Sequence, residues 1–506
     1  MKKRPVKLNK QQFIRMIALV LVIFLLGGTV LSILVSAMAE EQPTATHSCE
    51  LEMDYLENQQ ALQITQRFVY HNTSDETLDR VIFYAASNMF RRESALIYEN
   101  DVLESVFPNG FAPAGIDLQS VRCDGQDADW GYQGANEMLL RVSCNIAPGE
   151  KALFEMEYYL LLSNNCAMTG VSETDVRLTA FYFVPGVFDE TYSEFITHNP
   201  LQHTRWLFTD AVDYTVTLTL PDTYLPAGTG SLDLLSTENH RSLWRFEARN
   251  VREFALSFGK RYRSYTSTAG TGTTLRILSN DRSASRTALR YASEIIRLYE
   301  NWFGPFPTNR LDIVQTDYPV ETLTHPGLIR IPNALWKDDA ALKSALRTSL
   351  AQQYFGLAVY PEPVSDAWLS DVVASYISLL AVEELSGYDA FVSALNNQVL
   401  SSLNITIPGG LHVTSDASLF TASDYDIVAR NRGTVVMHEL RVAMGRTPLL
   451  DALRNLYSGF AFKGVMGEYD LVHALDSVSD ARWEDFLTEW LFHVDDYIDQ
   501  QPDHYE

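Results

Sequence analysis

The chain has 506 residues, 46% apolar and 20% charged, which is ordinary globular composition and enough length for two or three domains. Its formal net charge is −25, although Lys2, Lys3, Arg4, Lys7, Lys10 and Arg15 meet no acid before Glu40, so the rest of the chain is more acidic still. A body of that charge repels phosphate backbones, which argues against nucleic acid as a partner.

After the basic segment 1–15 comes "MIALVLVIFLLGGTVLSILVSAMA", residues 16–39, without a single charge. At ~1.5 Å rise per residue this run is long enough to cross the ~30 Å hydrocarbon core of a bilayer. A transmembrane signal anchor is therefore expected, with its cationic flank in the cytoplasm and residues 40–506 outside the cell membrane. The triplet Ala37-Met38-Ala39 also fits a signal-peptidase site, and either outcome exports the body. Cys49, Cys123, Cys144 and Cys166 all fall in the exported first third, where they are either two disulfides or four buried thiols. If bridges form, Cys123 with Cys144 is the favoured pair, because "LQSVRCDG" and "EMLLRVSC" resemble neighbouring strands around a Gly-rich turn.

Residues 46–265 alternate apolar and polar side chains in short runs broken by Asn, Asp, Gly and Pro, as in "VDYTVTLTLPDTYLPAG". That pattern predicts a β-sandwich-like domain. "TSTAGTGTT" at 266–274 marks a boundary or a strand turn. Beyond it the apolar spacing becomes helical: "SASRTALRYASEIIRLYENWF" (283–303) predicts an amphipathic helix ending before "GPFP". Two strands, "RLDIVQT" and "GLIRIP", precede helices expected at 339–357, 367–386, 388–401, 430–445, 447–458, 467–476 and 482–493. Residues 496–506 form an acidic tail. The fold class is α+β: an N-terminal transmembrane helix, a β domain, then a mostly helical domain (267–495) with a small sheet.

One stretch, "ALRTSLAQQYFGLAVYPEPVSDAWLSDVVASY" (345–376), carries the chemical question. Helical zinc peptidases place two imidazoles at i and i+4 in H-E-x-x-H, so that both reach one Zn²⁺, with the Glu beside the metal-bound water. Residues 267–495 resemble the thermolysin-like domain of the membrane alanyl aminopeptidase family of zinc peptidases, and 46–265 resemble its N-terminal β domain. That family's third ligand lies in "W-L-N-E-G-x-A-S-Y", which "WLSDVVASY" matches without a gap. Gln352 and Asp371 stand at the second-histidine and third-ligand spacing. "YENWFGPFPTNRLDIV", "THPGLIRI", "RNRGTVVMHELRVAMG" and "WRFEARNVREFALSFG" supply further landmarks in the family's order.

Residue by residue, the resemblance then implies a degenerate site. Thr348 and Gln352 replace the two histidines, Asp371 the third ligand and Ser349 the general base. Thr324 replaces the Glu that clamps a substrate's free amine, and Arg430 the Tyr that stabilises the oxyanion. Neutral hydroxyls, an amide and one carboxylate are a poor set for zinc, which binds imidazole and thiolate together. No zinc cofactor is therefore expected. Without metal-activated water, and with no histidine adjacent to Ser349, peptidase chemistry has no nucleophile.

"HELRV" at 438–442 begins like the zinc motif, but Val442 takes the second ligand position, so His438 is expected to be structural. None of the eleven histidines forms a convincing i, i+4 pair. His198 and His203 belong to an expected surface loop, whereas His325 lines the substrate strand and could meet Asp371 or Glu321. Arg430 either pairs with Asp371 or points to solvent. "NTS" (72–74) and "NIT" (404–406) fit the glycosylation pattern and receive no role.

These residues imply an exported, membrane-tethered aminopeptidase-like protein without catalysis. Its cleft, lined by Glu321, His325, Tyr354, Asp371 and Arg430, would take a peptide or protein ligand. The alternatives are a divergent active metallo-aminopeptidase using His325, Asp371 and Glu321, and a structural envelope component whose cleft is filled by its own side chains.

Overall fold

The computed structural model describes residues 45–134, 136–400 and 409–500. The basic segment, the expected anchor at 16–39, the triplet before Glu40 and the glycosylation pattern at 404–406 lie outside the described residues. Among the described residues no helix is long and apolar enough to cross a membrane. The chain from Thr44 onward packs as one compact unit.

An eight-stranded sheet forms the first layer, in the order Ser231–Glu238, Arg241–Val251, Val212–Pro221, His47–Leu56, Ala61–His71, Lys151–Leu161, Gly115–Cys123 and Gln126–Asp127. Every neighbouring pair is antiparallel except His47–Leu56 with Val212–Pro221. The alternation of the sequence sets its two faces, since successive strand side chains point to opposite sides. In Lys151–Leu161, for example, Ala152, Phe154, Met156, Tyr158 and Leu160 are buried while Lys151, Glu157 and Leu161 are exposed. Against this buried face packs a second sheet of Val184–Pro185, Leu78–Tyr84, Leu139–Ile146 and Trp130–Gln133, with Phe83 meeting Phe154 edge-on at 5.2 Å.

The expected disulfide is not present: all four cysteines are free thiols. Cys123 ends a strand of the eight-stranded sheet, where it pairs with Phe154, whereas Cys144 belongs to the second sheet. The intervening segment does not close a hairpin between them. It folds back on the first strand as Gln126–Asp127 and then joins the other sheet as Trp130–Gln133. Two flanking runs that look like a hairpin in sequence thus end in different layers.

"TSTAGTGTT" proves to be a strand turn, between Arg263–Ala269 and Thr273–Ser279. Both strands belong to a five-stranded sheet completed by Arg310–Thr316, Leu328–Pro332 and the edge strand Leu323–His325. A further four-stranded sheet, Leu225–Gly228, Leu256–Gly259, Val176–Leu178 and Gly170–Val171, lies against it. Arg330, fully buried, bridges the two: Nε donates to Ser257 Oγ at 2.8 Å and a terminal nitrogen to the Leu178 carbonyl at 2.8 Å. Asp312, equally buried, forms ion pairs within its own sheet to Arg276 at 2.8 Å and Arg310 at 2.5 Å and accepts from the Gly228 amide of the other sheet at 3.2 Å. Buried charges are tolerated only when paired and hydrogen-bonded, and here that requirement locks the two sheets together.

The helices are α1 (Asn100–Val106), α2 (Arg282–Phe303), α3 (Asp339–Tyr354), α4 (Ala367–Ser386) and α5 (Tyr388–Leu400). They continue with α6, which runs through Ala422–Tyr425, Asp426–Arg432 and Gly433–Met444, then α7 (Arg446–Phe460), α8 (Glu468–Asp476) and α9 (Glu484–Gln500). Asp281 caps α2 by accepting from the Ala284 amide, and Asp338 caps α3 by accepting from those of Ala340 and Ala341. Helix α9 continues to Gln500, into the segment assigned to the tail. Helix α6 starts earlier than its apolar spacing suggested, because Asp426–Arg432 is π-helical. Close packing of α6 on α4 requires Gly433, where a Cβ would lie 2.3 Å from a Val372 methyl.

Candidate functional site

The positions singled out in the sequence lie on α3, α4 and α6 and on the edge strand Leu323–His325, and four of them, Thr324, Gln352, Asp371 and Arg430, line a cavity of about 120 Å³. Its wall includes Glu321, Thr324, His325, Gln352, Asp371 and Arg430. For scale, a ~150 Å³ apolar cavity accepts benzene, so this space suits one side chain or chain end rather than an extended peptide.

Gln352 and Thr348 are one turn apart on α3, but only Gln352 reaches the cavity wall. The Thr348 hydroxyl donates to Ser378 Oγ on α4 at 3.2 Å, and Ser349 is 3% exposed in the core. The neighbouring Gln353, which sequence reasoning passed over, fastens the helix to the strand. Its amide nitrogen donates to the His325 carbonyl at 2.9 Å and its oxygen accepts from the Gly327 amide at 3.1 Å.

Tyr354 is not a cleft residue. Its ring is fully buried among Tyr299, Phe303, Phe306 and Tyr457, and its hydroxyl donates to the Gly304 carbonyl at 3.0 Å. It points away from the cavity because aromatic residues of α2 and α7 close over that side of α3. Trp368 and Tyr376 are likewise core residues outside the cavity wall.

Arg430 and Asp371 meet. Arg430 Nε donates to Asp371 Oδ2 at 3.4 Å, one terminal nitrogen to Asp426 at 2.6 Å and the other to the His203 carbonyl at 2.6 Å. The contact with Asp371 is single, not bidentate, because the rest of the fork is taken. Tyr425 donates its hydroxyl to the same Asp371 oxygen at 3.0 Å, and its ring lies 5.3 Å from the guanidinium carbon. Burial alone would disfavour the Arg430 charge, but Asp371, Asp426 and Glu321 outweigh it and hold the guanidinium more firmly protonated than usual.

His325 turns to Glu253 rather than to Asp371 or Glu321, with Nδ1 2.9 Å from the carboxylate. Burial disfavours both charges. It lowers the His325 pKa despite Glu253, whereas for Glu253 the nearby His325, Arg205 and Arg330 overcome it and lower the carboxyl's pKa. His325 Nε2 and Thr324 Oγ1 are buried and have no hydrogen-bond partner among the described residues. His203 is a wall residue and not a surface one: it is 7% exposed, with Nε2 3.0 Å from the Ala417 carbonyl. His198 reaches Glu362 at 2.6 Å, and His438 meets the Tyr376 hydroxyl at 3.1 Å.

Glu321 has the most perturbed carboxyl of the site. Burial pushes its pKa up to about 7; Arg430 and Arg205 oppose that shift, and Asp426 and Asp371 reinforce it. A carboxyl whose folded pKa exceeds its unfolded value favours the native state while protonated, and this contribution falls as pH rises from ~4.5 through ~7. Glu321→Gln is therefore expected to remove a loss of stability that the parent chain shows between pH 5 and 8. Melting temperatures of both proteins at the two ends of that window check it, and parallel pH profiles would refute the assignment.

The donor set does not fit a zinc ion. Zinc sites are built from several imidazole, thiolate or carboxylate ligands, and here one carboxylate is already bonded to a phenol and a guanidinium while the α3 positions offer a hydroxyl and an amide. Among the described residues no group of three or more His, Cys, Asp or Glu side chains is arranged to hold a metal ion.

No family model matches the chain. Aminopeptidase M1-B of Oryza sativa subsp. japonica is 25% identical over 240 residues, which covers 43% of this chain and 27% of that protein; the match thus spans about a quarter of the curated relative's length. Among solved structures, the M1 zinc metallopeptidase of Deinococcus radiodurans aligns with a TM-score of 0.62 at 18% identity, over 89% of this chain and 94% of that one. A mutant of that enzyme bound to a Tyr-Ser-Ala substrate gives 0.60 at 17% identity, with 89% and 94% covered. These likenesses show that the chain has the M1 zinc metallopeptidase fold.

Proposed function

We propose that this chain is a diverged member of the M1 aminopeptidase family that has lost zinc and peptidase activity and keeps the former active-site cavity as a ligand site. Its body is exported and held at the cell membrane by residues 16–39. The observation that carries the reading is the internal cation: Arg430 stands beside Asp371 where the family's third zinc ligand would be. A guanidinium in that place both neutralises the carboxylate and repels a dication.

The cavity offers polar groups with unused hydrogen-bonding capacity, His325 Nε2 and Thr324 Oγ1, beside the Glu321 carboxyl and the Gln352 amide. Such groups favour a ligand that brings its own polar atoms. The cavity's size limits that ligand to the end of a peptide or protein segment.

Metal analysis of the purified full chain, coupled to an assay for amide release from aminoacyl substrates, tests the reading. The expected result is zinc far below one per chain and no cleavage sensitive to chelators. Stoichiometric zinc with chelator-sensitive turnover would overturn it in favour of an active enzyme with an unconventional site.

A further inference from the structure

Among the described residues, the outward face of α2 carries a cluster of arginines in an otherwise acidic body. Arg282, Arg286, Arg290 and Arg297 are all exposed there, and none makes an ion pair among the described residues. Exposed Arg67, Arg122 and Arg454 have acidic partners, while exposed Arg249 and Arg482 stand singly without an ion pair among the described residues, so what distinguishes α2 is that its unpaired arginines are clustered. Three acids accompany them, Asp281 at the helix cap, exposed Glu294 and half-buried Glu300, and none is in an ion pair with these arginines: Asp281 accepts from the Ala284 amide and Glu300 from the Thr271 hydroxyl. Arg263, also exposed, pairs across the sheet with Ser279 just ahead of the helix cap and extends the basic end.

The first three arginines follow a four-residue step, so they rise along one side of the helix at ~6 Å intervals. Ser283 and Thr287 share with them a shallow surface groove. A single small anion cannot engage guanidinia strung along two helical turns, whereas a plane of phosphates can. The guanidinium is also the side chain best suited to pair with phosphate through two hydrogen bonds.

Stable protein interfaces centre on well-packed, desolvated anchors, of which aromatic side chains and arginines are the commonest. No large apolar side chain is exposed between Arg263 and Phe303 among the described residues. We propose that this arginine face docks on the anionic phospholipid headgroups of a membrane surface. The inference goes beyond the cavity reading and stands on separate residues, so either can fail alone. It gives the acidic body a preferred orientation, with this unpaired arginine face toward the headgroups.

Phenylglyoxal footprinting of the full chain tests the proposal, in nanodiscs of phosphatidylcholine alone or mixed with phosphatidylglycerol. Each arginine near an anionic surface gains ~1 kcal/mol, so modification of Arg282, Arg286 and Arg290 should slow roughly fivefold in the anionic discs. Exposed Arg249, on another part of the surface, serves as the control and should not change. The protection should fade at high salt, where the Debye length shortens. Equal rates in both discs overturn the proposal. Protection by soluble polyglutamate in neutral discs, with none in anionic discs, would instead assign the face to an acidic polypeptide and overturn the lipid assignment.

Discussion

Arg430→Met should lower the stability of the folded chain by about 3 kcal/mol, the scale for removing one partner of a buried ion pair. The substitution strips Asp371, whose side chain is 7% exposed, of its cationic contact and leaves the carboxylate with the Tyr425 hydroxyl as its side-chain partner among the described residues. It also leaves the His203 carbonyl without the Arg430 donor. The pair is what matters, so adding Asp371→Leu to Arg430→Met should recover most of the loss. A double-mutant cycle read from denaturation midpoints isolates that coupling, expected at about 2 kcal/mol. Exposed Arg249→Met, the comparison variant, should stay within ~0.5 kcal/mol of the parent. Should Arg430→Met behave like this surface control, the guanidinium would not be the internal counter-ion proposed above.

The largest gain should come from rebuilding the metal site, and only when the cation is removed as well. Thr348→His, Gln352→His and Asp371→Glu together restore two imidazoles one helical turn apart and a longer carboxylate on α4. With Arg430 still present, a +1 guanidinium ~4 Å from a +2 ion costs roughly 8 kcal/mol at an effective dielectric of 20. That cancels half or more of the ~10–16 kcal/mol of a structural zinc site. The triple variant is therefore expected to bind zinc weakly, and the quadruple variant with Arg430→Tyr to bind one zinc per chain with a Kd below about 1 μM. Zinc titration of both proteins with a competing chelator measures the difference. Equal affinity in the two would show that Arg430 plays no part in excluding the metal.

Much of the site's framework was legible beforehand because it depends on local rules. Helix α3 could be placed from its apolar spacing, and Gln352 and Asp371 from their separation along the chain. The partners of those residues were less accessible. Tyr425 and Arg430 are five residues apart, on nearly opposite sides of an ordinary helix with 3.6 residues per turn. The π-helical stretch Asp426–Arg432 changes that register and lets both reach one Asp371 oxygen. Nothing in "SDYDIVAR" announces the extra residue per turn. A π-bulge in mid-helix often marks a functional site, and the one here carries Arg430.

Glu253 escaped notice, and His203 was expected in a surface loop, for a different reason. Both come from the β part of the chain and enter the cavity wall only because the sheets fold back against α4 and the edge strand. Tyr354 failed in the opposite sense: its place in the motif suggested a cleft, while its ring is enclosed by three other elements. The expected cysteine pair failed similarly, since hairpin-like runs do not reveal which of two sheets each strand will join.

By itself the sequence determined the strand and helix pattern, the spacing between Gln352 and Asp371, and the neutral chemistry of Thr348, Ser349 and Gln352 on one helix. Those are properties of side-chain chemistry and of periodicities a few residues long. Only the tertiary structure decided that Arg430 faces Asp371, that Glu253 holds His325, that Tyr354 is core and that α2 presents its arginines without acidic partners. Each of these depends on contacts between residues far apart in the chain, whose energies are fixed by burial and by the charges that packing brings within a few ångströms.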